Sequence, residues 1–315
     1  MIPLLLDVDT GVDDALALAM AVLLDEVSLI AATTVAGNVD VERATWNTRR
    51  VLDWLGAISV PVARGAARPL LRPHRDARMV HGEDGLGGAQ LPVARSGPVI
   101  DTSAPEVIVR TARRYAGRLR LVCLGPLTNV AIALRLEPRL PELVERLVIM
   151  GGAFAVPGNV TPAAEFNVWS DPEAASIVAE AGFRAVWVGL DVTREVRLER
   201  GQRDRLLGFE TPAARLLVET TRQLLDRPNG GGVILHDPLA LAVAVYPELV
   251  GGLPVQVTVD TSSGPTAGRT AYHIQEGAPS LVAQSIDQTR FFALFWRSFA
   301  PAGALDAGDR RGDPS

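Results

Sequence analysis

Short apolar runs alternate with helix-like segments along most of the chain. Residues 2–6 are apolar and predict a buried strand, and the alanine- and leucine-rich residues 15–20 predict a helix. Further strands are predicted at 28–34, 60–63, 119–124, 146–150 and 184–190, with helices at 41–55 and 105–116 and another ending at 136. Strands that alternate with helices at this spacing are typical of βαβ units. We therefore expect an α/β fold with a mostly parallel, Rossmann-like central sheet flanked by helices.

The last third of the chain has a different pattern. Its predicted elements are a helical stretch at 198–227, a glycine-rich break at 229–232, a helix at 239–245, a hairpin of strands at 254–260 and 269–275, a strand at 281–286 and a helix at 288–299. The sequence contains no internal repeat and no linker. We therefore expect one domain over residues 1–300, followed by a disordered tail at 301–315.

Composition narrows the classes of function. The chain has 315 residues, of which 48% are hydrophobic, so it can bury a sizeable core. Its net charge of −5 is spread along the chain, which argues against a nucleic-acid partner. The apolar runs are too short to span a membrane, and the first lacks the basic flank of a signal peptide. We expect a soluble cytoplasmic protein with no membrane partner, whose single Cys123 is buried and inert.

Four aspartates follow the first predicted strand within one strand–loop–helix turn, at Asp7, Asp9, Asp13 and Asp14. Aspartate is common at helix N-termini, which accounts for one or two of them. Four carboxylates at the carboxyl end of a central strand, where open α/β sheets bind ligands, repel one another unless a cation joins them. A hard divalent cation is the usual partner of such oxygen ligands. The pattern therefore favours a metal site.

Three motif interpretations compete for this stretch. An EF-hand loop starting at Asp7 needs glycine and glutamate where Val12 and Leu18 stand. A phosphatase of the haloacid dehalogenase family opens with a similar Asp-x-Asp, but it has Thr or Val where Gly11 stands and needs a catalytic lysine, which this sequence lacks. The third interpretation, Asp-x-Asp-x-Gly-x-Asp-Asp leading into a helix, resembles the nucleoside hydrolases.

Further candidates lie where other predicted elements end. Asn38 follows the second strand and should lie near Asp9. The irregular segment 64–103 contains His81, and a long loop inside a compact domain is more often functional than idle. His74 in the same segment is expected at the surface, and His273 is expected to be a structural residue of a strand.

Over nearly its whole length the chain resembles the inosine–uridine-preferring nucleoside hydrolase family. The matching segments, in the family's order, are 7–14, 33–38, 81–88, 124–129, 150–152, 165–167 and 236–240. Each segment is weak evidence alone, and together they form a specific signal.

The resemblance implies a role for particular positions. The implied Ca²⁺ ligands are Asp9, Asp14, Asp237 and the main-chain carbonyl of Leu124. Asp9 is also the implied general base, and His236 is the implied catalytic histidine near the leaving base. The candidate substrate-binding residues are Asp13, Asn38, His81, Met150, Asn159, Glu165, Phe166 and Asn167. Most of these match residues that hold the ribose hydroxyls.

We therefore expect calcium-dependent hydrolysis of the N-glycosidic bond of ribonucleosides to free base and ribose, in nucleoside salvage, by a homodimer or homotetramer. Two alternatives are hydrolysis of another N-ribosyl compound, such as a modified nucleoside, and nucleoside or ribose binding without turnover. Intact Asp9 and His236 argue against the second, because a binding protein needs no general base. Residues 222–235 contain no tyrosine or histidine, so the choice between purine and pyrimidine stays open.

Overall fold

The computed structural model describes residues 1–92, 97–227 and 231–300. The strands in these ranges are β1 (Ile2–Val8), β2 (Val27–Thr34), β3 (Val62–Arg64), β4 (Val99–Ile100), β5 (Leu119–Cys123), β6 (Val144–Met150), β7 (Ala185–Val188), β8 (Arg197–Leu198), β9 (Val233–Ile234), β10 (Val250–Val259), β11 (Thr270–Ile274) and β12 (Ser280–Ile286). The helices are α1 (Val12–Leu23), α2 (Val41–Trp54), α3 (Arg78–His81), α4 (Ala104–Arg114), α5 (Thr128–Leu136), α6 (Leu140–Leu143), α7 (Phe166–Ser170), α8 (Pro172–Glu180), α9 (Leu190–Thr193), α10 (Arg200–Asp204), α11 (Pro212–Leu225), α12 (His236–Val245) and α13 (Gln288–Phe299), with a 3₁₀ helix at Pro247–Leu249. The predicted tail at 301–315 and residues 229–230 of the predicted break lie outside the described residues.

Ten of the described strands form one sheet in the order β11–β10–β12–β7–β6–β5–β1–β2–β3–β4. All pairs from β12 to β4 in this order are parallel. Strand β10 pairs antiparallel with both β11 and β12. The predicted α/β fold with a mostly parallel sheet is confirmed, and so is the antiparallel hairpin near the C-terminus.

Helices cover both faces of the sheet. On one face α1 packs against the neighbouring helices α2, α11, α12 and α13, and its residues from Val12 to Ala21 are buried. A helix that is apolar on nearly all sides is a buried helix, which explains the alanine-rich sequence of α1. On the other face α5 packs against α4 and α8. The central strands β1, β5, β6 and β7 are therefore largely buried on both sides, as parallel strands usually are.

The prediction of one helical stretch at 198–227 is wrong. The chain forms the short strand β8 and the helix α10 before α11 begins at Pro212. The hydroxyl of Thr211 accepts a hydrogen bond from the backbone N–H of Ala214 at 3.3 Å and caps α11. A threonine followed by proline is a typical helix start, and this local signal outweighs the apolar spacing across it.

The order of the strands places a ligand-binding crevice beside β1. The chain runs from β1 outward through β2, β3 and β4, and then returns to β5 on the other side of β1. Open α/β sheets bind ligands at such a switch point, outside the carboxyl ends of the strands. Asp9 follows β1 and Leu124 follows β5, so both lie at this crevice. In the described ranges, every helix is too short or too polar to cross a membrane.

Candidate active site

A cavity of about 790 Å³ opens at the carboxyl ends of β1, β5 and β6, within the size range of small-molecule sites. Most of the predicted site residues line it, namely Asp13, Asn38, His81, Leu124, Met150, Asn159, Glu165, Phe166, Asn167, His236 and Asp237. Asp9 and Asp14 are fully buried beside this lining. The structure therefore brings together residues that span 229 positions of the sequence, from 9 to 237.

Four carboxylates meet at one side of the cavity. Candidate ligand atoms of Asp13, Asp14 and Asp237 lie within 4.8 Å of one another. Asp9 joins them through Asn38, whose Nδ2 donates hydrogen bonds to Asp9 Oδ1 at 3.1 Å and to Asp14 Oδ2 at 3.2 Å. The three carboxylates that lie closest together thus include Asp13. The ligand set implied by the resemblance contains Asp9 instead and assigns Asp13 to sugar binding.

Burial raises the pKa of all four carboxyl groups, and neighbouring aspartates add to the rise at Asp9, Asp14 and Asp237. Burial raises the pKa of Asp13 to about 6, and burial with the charge of Asp13 raises that of Asp14 to about 6. The pKa values of Asp9 and Asp237 are raised well above the usual range, first by burial and then by the neighbouring aspartates. Such a group cannot stay fully ionised at neutral pH without a cation. Its all-oxygen donor set fits a hard cation.

Asp7 does not join this group. Its Oδ1 accepts hydrogen bonds from Thr33 Oγ1 at 2.6 Å and from Asn129 Nδ2 at 2.8 Å. Burial raises the pKa of Asp7 to about 6, partly offset by these two bonds. The prediction that four carboxylates crowd into the first turn is therefore wrong for Asp7, because β2 and α5 supply its polar partners.

The start of α7 forms a polar wall of the cavity. Glu165 caps this helix, and its carboxylate accepts the backbone N–H groups of Asn167 at 2.8 Å and of Val168 and Gly152 at 3.1 Å each. Burial raises the pKa of Glu165. A carboxylate that accepts three backbone N–H groups is held in one orientation, with lone pairs left for a further donor.

Asn167 ties the ends of two strands together. Its Nδ2 donates to the carbonyl oxygens of Leu124 at 2.7 Å and Met150 at 3.1 Å. The side-chain oxygen of Asn167 remains available to a hydroxyl in the cavity. Asn159 is held in a similar way, because its Oδ1 accepts the backbone N–H of Phe166 at 2.9 Å.

Two histidines also line the cavity. His81 Nδ1 accepts the backbone N–H of Val12 at 3.1 Å, so the neutral ring carries its proton on Nε2. Burial lowers the pKa of His81 to about 4. His236 begins α12, and its Nδ1 lies 2.8 Å from Thr193 Oγ1. Burial, followed by the charges of His81 and Arg194, lowers the pKa of His236 to about 3. Both rings are therefore neutral at pH 7.

The loop containing His81 forms part of the cavity wall. Residues 75–77 and 79–81 line the cavity, and the Arg75 guanidinium lies 5.1 Å from the centre of the Trp169 ring. His74, predicted at the surface, is partly buried, and its Nε2 lies 3.0 Å from the carbonyl oxygen of Gly37. Cys123 is buried, as predicted.

A profile of the family described as inosine-uridine preferring nucleoside hydrolase matches residues 4–293. The chain belongs to this nucleoside hydrolase family. The predicted resemblance is thereby confirmed, and the protein is a hydrolase that acts on N-glycosyl bonds.

Several relatives of this nucleoside hydrolase match it along nearly its whole length. The proteins named pyrimidine-specific ribonucleoside hydrolase RihA from Shigella boydii and Escherichia fergusonii are each 37% identical over 302 residues, covering 93% of this chain and 96% of theirs. The solved plant nucleoside hydrolase PpNRh1 matches with a TM-score of 0.89 at 32% identity, covering 95% of this chain and 99% of its own. The purine-preferring ribonucleoside hydrolase from Gardnerella vaginalis matches with a TM-score of 0.88 at 34% identity, covering 94% and 97%.

Sequence reasoning missed several residues around the cavity of this hydrolase. The apolar side chains of Leu224, Val233 and Ile234 line the cavity. Thr193 does not line it but lies within hydrogen-bond distance of the lining residue His236. Apolar residues in helices and strands give no sign that they face a ligand. Thr193 and His236 are 43 positions apart, so only the fold brings them together.

Proposed function

We propose that this protein hydrolyses the N-glycosidic bond of ribonucleosides to free base and ribose, and that it requires Ca²⁺. The observation that carries the proposal is the group of buried carboxylates beside a cavity whose walls hold further amides, a carboxylate and two neutral histidines. Glycosidic cleavage passes through an oxocarbenium-like sugar, which nearby anions stabilise.

The proposed Ca²⁺ ligands are Asp9, Asp14, Asp237 and the carbonyl oxygen of Leu124. This carbonyl already accepts a hydrogen bond from Asn167, and its second lone pair remains available. Asp13 is close enough to compete for the ligand role that we assign to Asp9. When bound, the cation supplies Lewis-acid activation of a water molecule.

Asp9 is the proposed general base. Its Oδ2 accepts the backbone N–H of Asn38 at 2.7 Å, and its Oδ1 accepts the side-chain N–H of the same residue, so the carboxylate has a fixed orientation. Asp9 takes a proton from the attacking water, whose oxygen bonds to C1′ of the ribose. The electron pair of the C1′–N bond leaves with the base, which takes a proton from solvent, and Asp9 returns its proton to solvent, so that one water molecule is consumed in all.

Recognition of the sugar is assigned to Asp13, Asn38, Glu165, Asn159 and Asn167. Carboxylate and amide oxygens accept hydrogen bonds from hydroxyl groups, and the side chains of Asn159, Glu165 and Asn167 are held by bonds to the backbone. Met150 and Phe166 supply apolar surface beside them. A site of this kind favours ribose over a sugar that lacks a hydroxyl.

The base is assigned to the part of the cavity lined by His236, His81 and the apolar residues near them. Neither histidine is charged at neutral pH, so each acts on the base as a neutral hydrogen-bond donor or through its ring surface. One group of relatives is named pyrimidine-specific and another purine-preferring, so both classes of base belong in the test. Hydrolysis of a modified N-ribosyl compound uses the same sugar and metal groups.

One experiment separates these possibilities. The protein is incubated with uridine, cytidine, inosine, adenosine and a panel of modified nucleosides, with Ca²⁺ or with a chelator, and free ribose is measured. We expect ribose from at least one unmodified ribonucleoside, with activity lost on chelation and restored by Ca²⁺. Binding of a nucleoside without ribose release would favour the binding-protein alternative. Ribose release from modified nucleosides alone would favour the alternative of a hydrolase of modified N-ribosyl compounds.

Nucleoside salvage, a cytoplasmic location and a homodimer or homotetramer remain predictions. Light scattering coupled to gel filtration tests the oligomeric state directly.

A further inference from the structure

Thr193 lies within hydrogen-bond distance of the ring of His236. It ends the short helix α9, it is fully buried, and its Oγ1 lies 2.8 Å from His236 Nδ1. We propose that Thr193 is a positioning residue that fixes the tautomer and the orientation of His236. This inference rests on the proposed function, in which His236 assists departure of the base.

The direction of this hydrogen bond follows from the hydroxyl group. A buried hydroxyl has one proton to donate and needs an acceptor for it. Among the described residues, His236 Nδ1 is the side-chain hydrogen-bond partner of Thr193 Oγ1. If Thr193 donates, Nδ1 is the acceptor, and the neutral ring carries its proton on Nε2. The opposite tautomer leaves the hydroxyl proton without this partner.

The second ring nitrogen is the one available to substrate. His236 lines the cavity, whereas Thr193 does not. Because Nδ1 is occupied by Thr193, Nε2–H is the polar atom that the ring offers to a ligand. It can donate a hydrogen bond to the departing base as electron density builds there, with no proton transferred from the ring. A neutral histidine that acts as an electrophile in this way is known from triosephosphate isomerase.

The helix α9 is itself anchored to the sugar-binding wall. Asp191 accepts the backbone N–H groups of Phe154 at 2.9 Å and Ala155 at 2.7 Å, and the N–H of Leu190 donates to the carbonyl of Gly152 at 2.8 Å. The segment after Gly152 leads to Asn159 and Glu165. Thr193 thus holds His236 in a fixed relation to the segment that binds ribose.

The test compares two substitutions of the same residue. Thr193→Val removes the hydroxyl and keeps the shape, and Thr193→Ser keeps the hydroxyl. Loss of the group that fixes a catalytic histidine's tautomer lowers kcat by about 10⁴ in serine proteases, where that group is an anion. For a neutral hydroxyl we expect kcat on uridine or inosine to fall at least tenfold in Thr193→Val, with KM nearly unchanged and activity largely kept in Thr193→Ser.

Three controls separate positioning from structural damage. Thr221 is a matched buried threonine whose hydroxyl donates to the Leu217 carbonyl at 2.6 Å, and we expect Thr221→Val to keep its activity. The p-nitrophenyl riboside has a leaving group that needs no such help, so Thr193→Val should hydrolyse it nearly as fast as the native protein. In a His236→Ala background, Thr193→Val should cause no further loss.

If Thr193→Val lost activity equally on nucleoside and p-nitrophenyl riboside, Thr193 would be a structural residue and the proposal would be refuted. An unchanged kcat of Thr193→Val on the nucleoside would also refute it. The tautomer provides a readout that does not depend on activity. Nitrogen-15 NMR of the His236 ring should show a protonated Nε2 in the native protein in calcium-containing buffer and an altered pattern in Thr193→Val. A proton on Nδ1 of the native ring would overturn the inference. If the native protein released ribose from no substrate, the proposed function would fail while this spectrum would still decide on Thr193.

Discussion

Gly37 tests whether the position of the Asp9 carboxylate limits the reaction. A Cβ atom at residue 37 would lie 2.1 Å from Asp9 Oδ2 and 2.8 Å from Pro126 Cδ, and ordinary contact begins at 3.4 Å. Because the added Cβ would also lie too close to Pro126, Gly37→Ala must displace the carboxylate by about 1.3 Å or shift the backbone around residue 37. A misplacement of about 1 Å can lower the rate about 10²-fold, so we expect kcat to fall by about that factor.

The assay is ribose release from the best nucleoside, with the melting temperature measured alongside. Gly201→Ala is the matched control, because its Cβ would meet open space and Gly201 is itself exposed in helix α10. Asp9→Ala sets the lower limit, since loss of a general base and metal ligand is expected to cost about 10³-fold or more. A folded Gly37→Ala protein whose kcat stayed within threefold of the native value would show that the carboxylate position is not decisive.

Three further predictions concern substrate and pH. Deoxyuridine should be hydrolysed far more slowly than uridine, because the sugar-binding groups would be left unpaired; comparable kcat/KM values would contradict the assignment. His236→Ala should lower kcat strongly on inosine or uridine and leave p-nitrophenyl riboside nearly unaffected, whereas equal losses would mean that His236 only positions the site. Folding raises the pKa of Asp13 and Asp14 from 3.8 to about 6, so the calcium-free protein should lose stability as pH rises through this window. Added Ca²⁺ should therefore raise the melting temperature more at pH 8 than at pH 5, and an equal rise at both would refute the coupling.

Much of the fold could be predicted from the sequence because its main elements carry strong local signals. The apolar strands β1 and β5 are buried on both faces, and the helix α13 has the bounds that its spacing predicts. The sequence predicts one helix across the stretch before α11 because the apolar spacing continues through it. Thr211 and Pro212 instead begin a separate helix there. The order of the strands could not be read, since it depends on how distant strands pair.

The carboxylates and amides of the site could be predicted in part because strand ends converge at one edge of a parallel sheet. Asp9 and Asn38 follow neighbouring strands, and the structure joins them by two hydrogen bonds. The sequence places Asp7 with the other aspartates because nothing in it shows that Thr33 and Asn129 bind this carboxylate. Those two hydrogen bonds exist only in the folded chain. Which carboxylates bind the cation stays a prediction.

The residues proposed to select between bases differ in type from those proposed to bind the sugar. Recognition of the ribose hydroxyls is proposed for Asp13, Asn167 and their neighbours, whose residue types follow from hydrogen-bond chemistry. The proposed base site is lined by Ile234, Val233 and the segment around His81, where most side chains are apolar and the connecting loops are long. Apolar contact discriminates between bases mainly by shape, and shape depends on the positions of these loops rather than on residue type. Replacing residues 75–80 with the corresponding segment of a relative should therefore change the ratio of kcat/KM between purine and pyrimidine nucleosides. The preference for ribonucleosides over deoxynucleosides should stay the same.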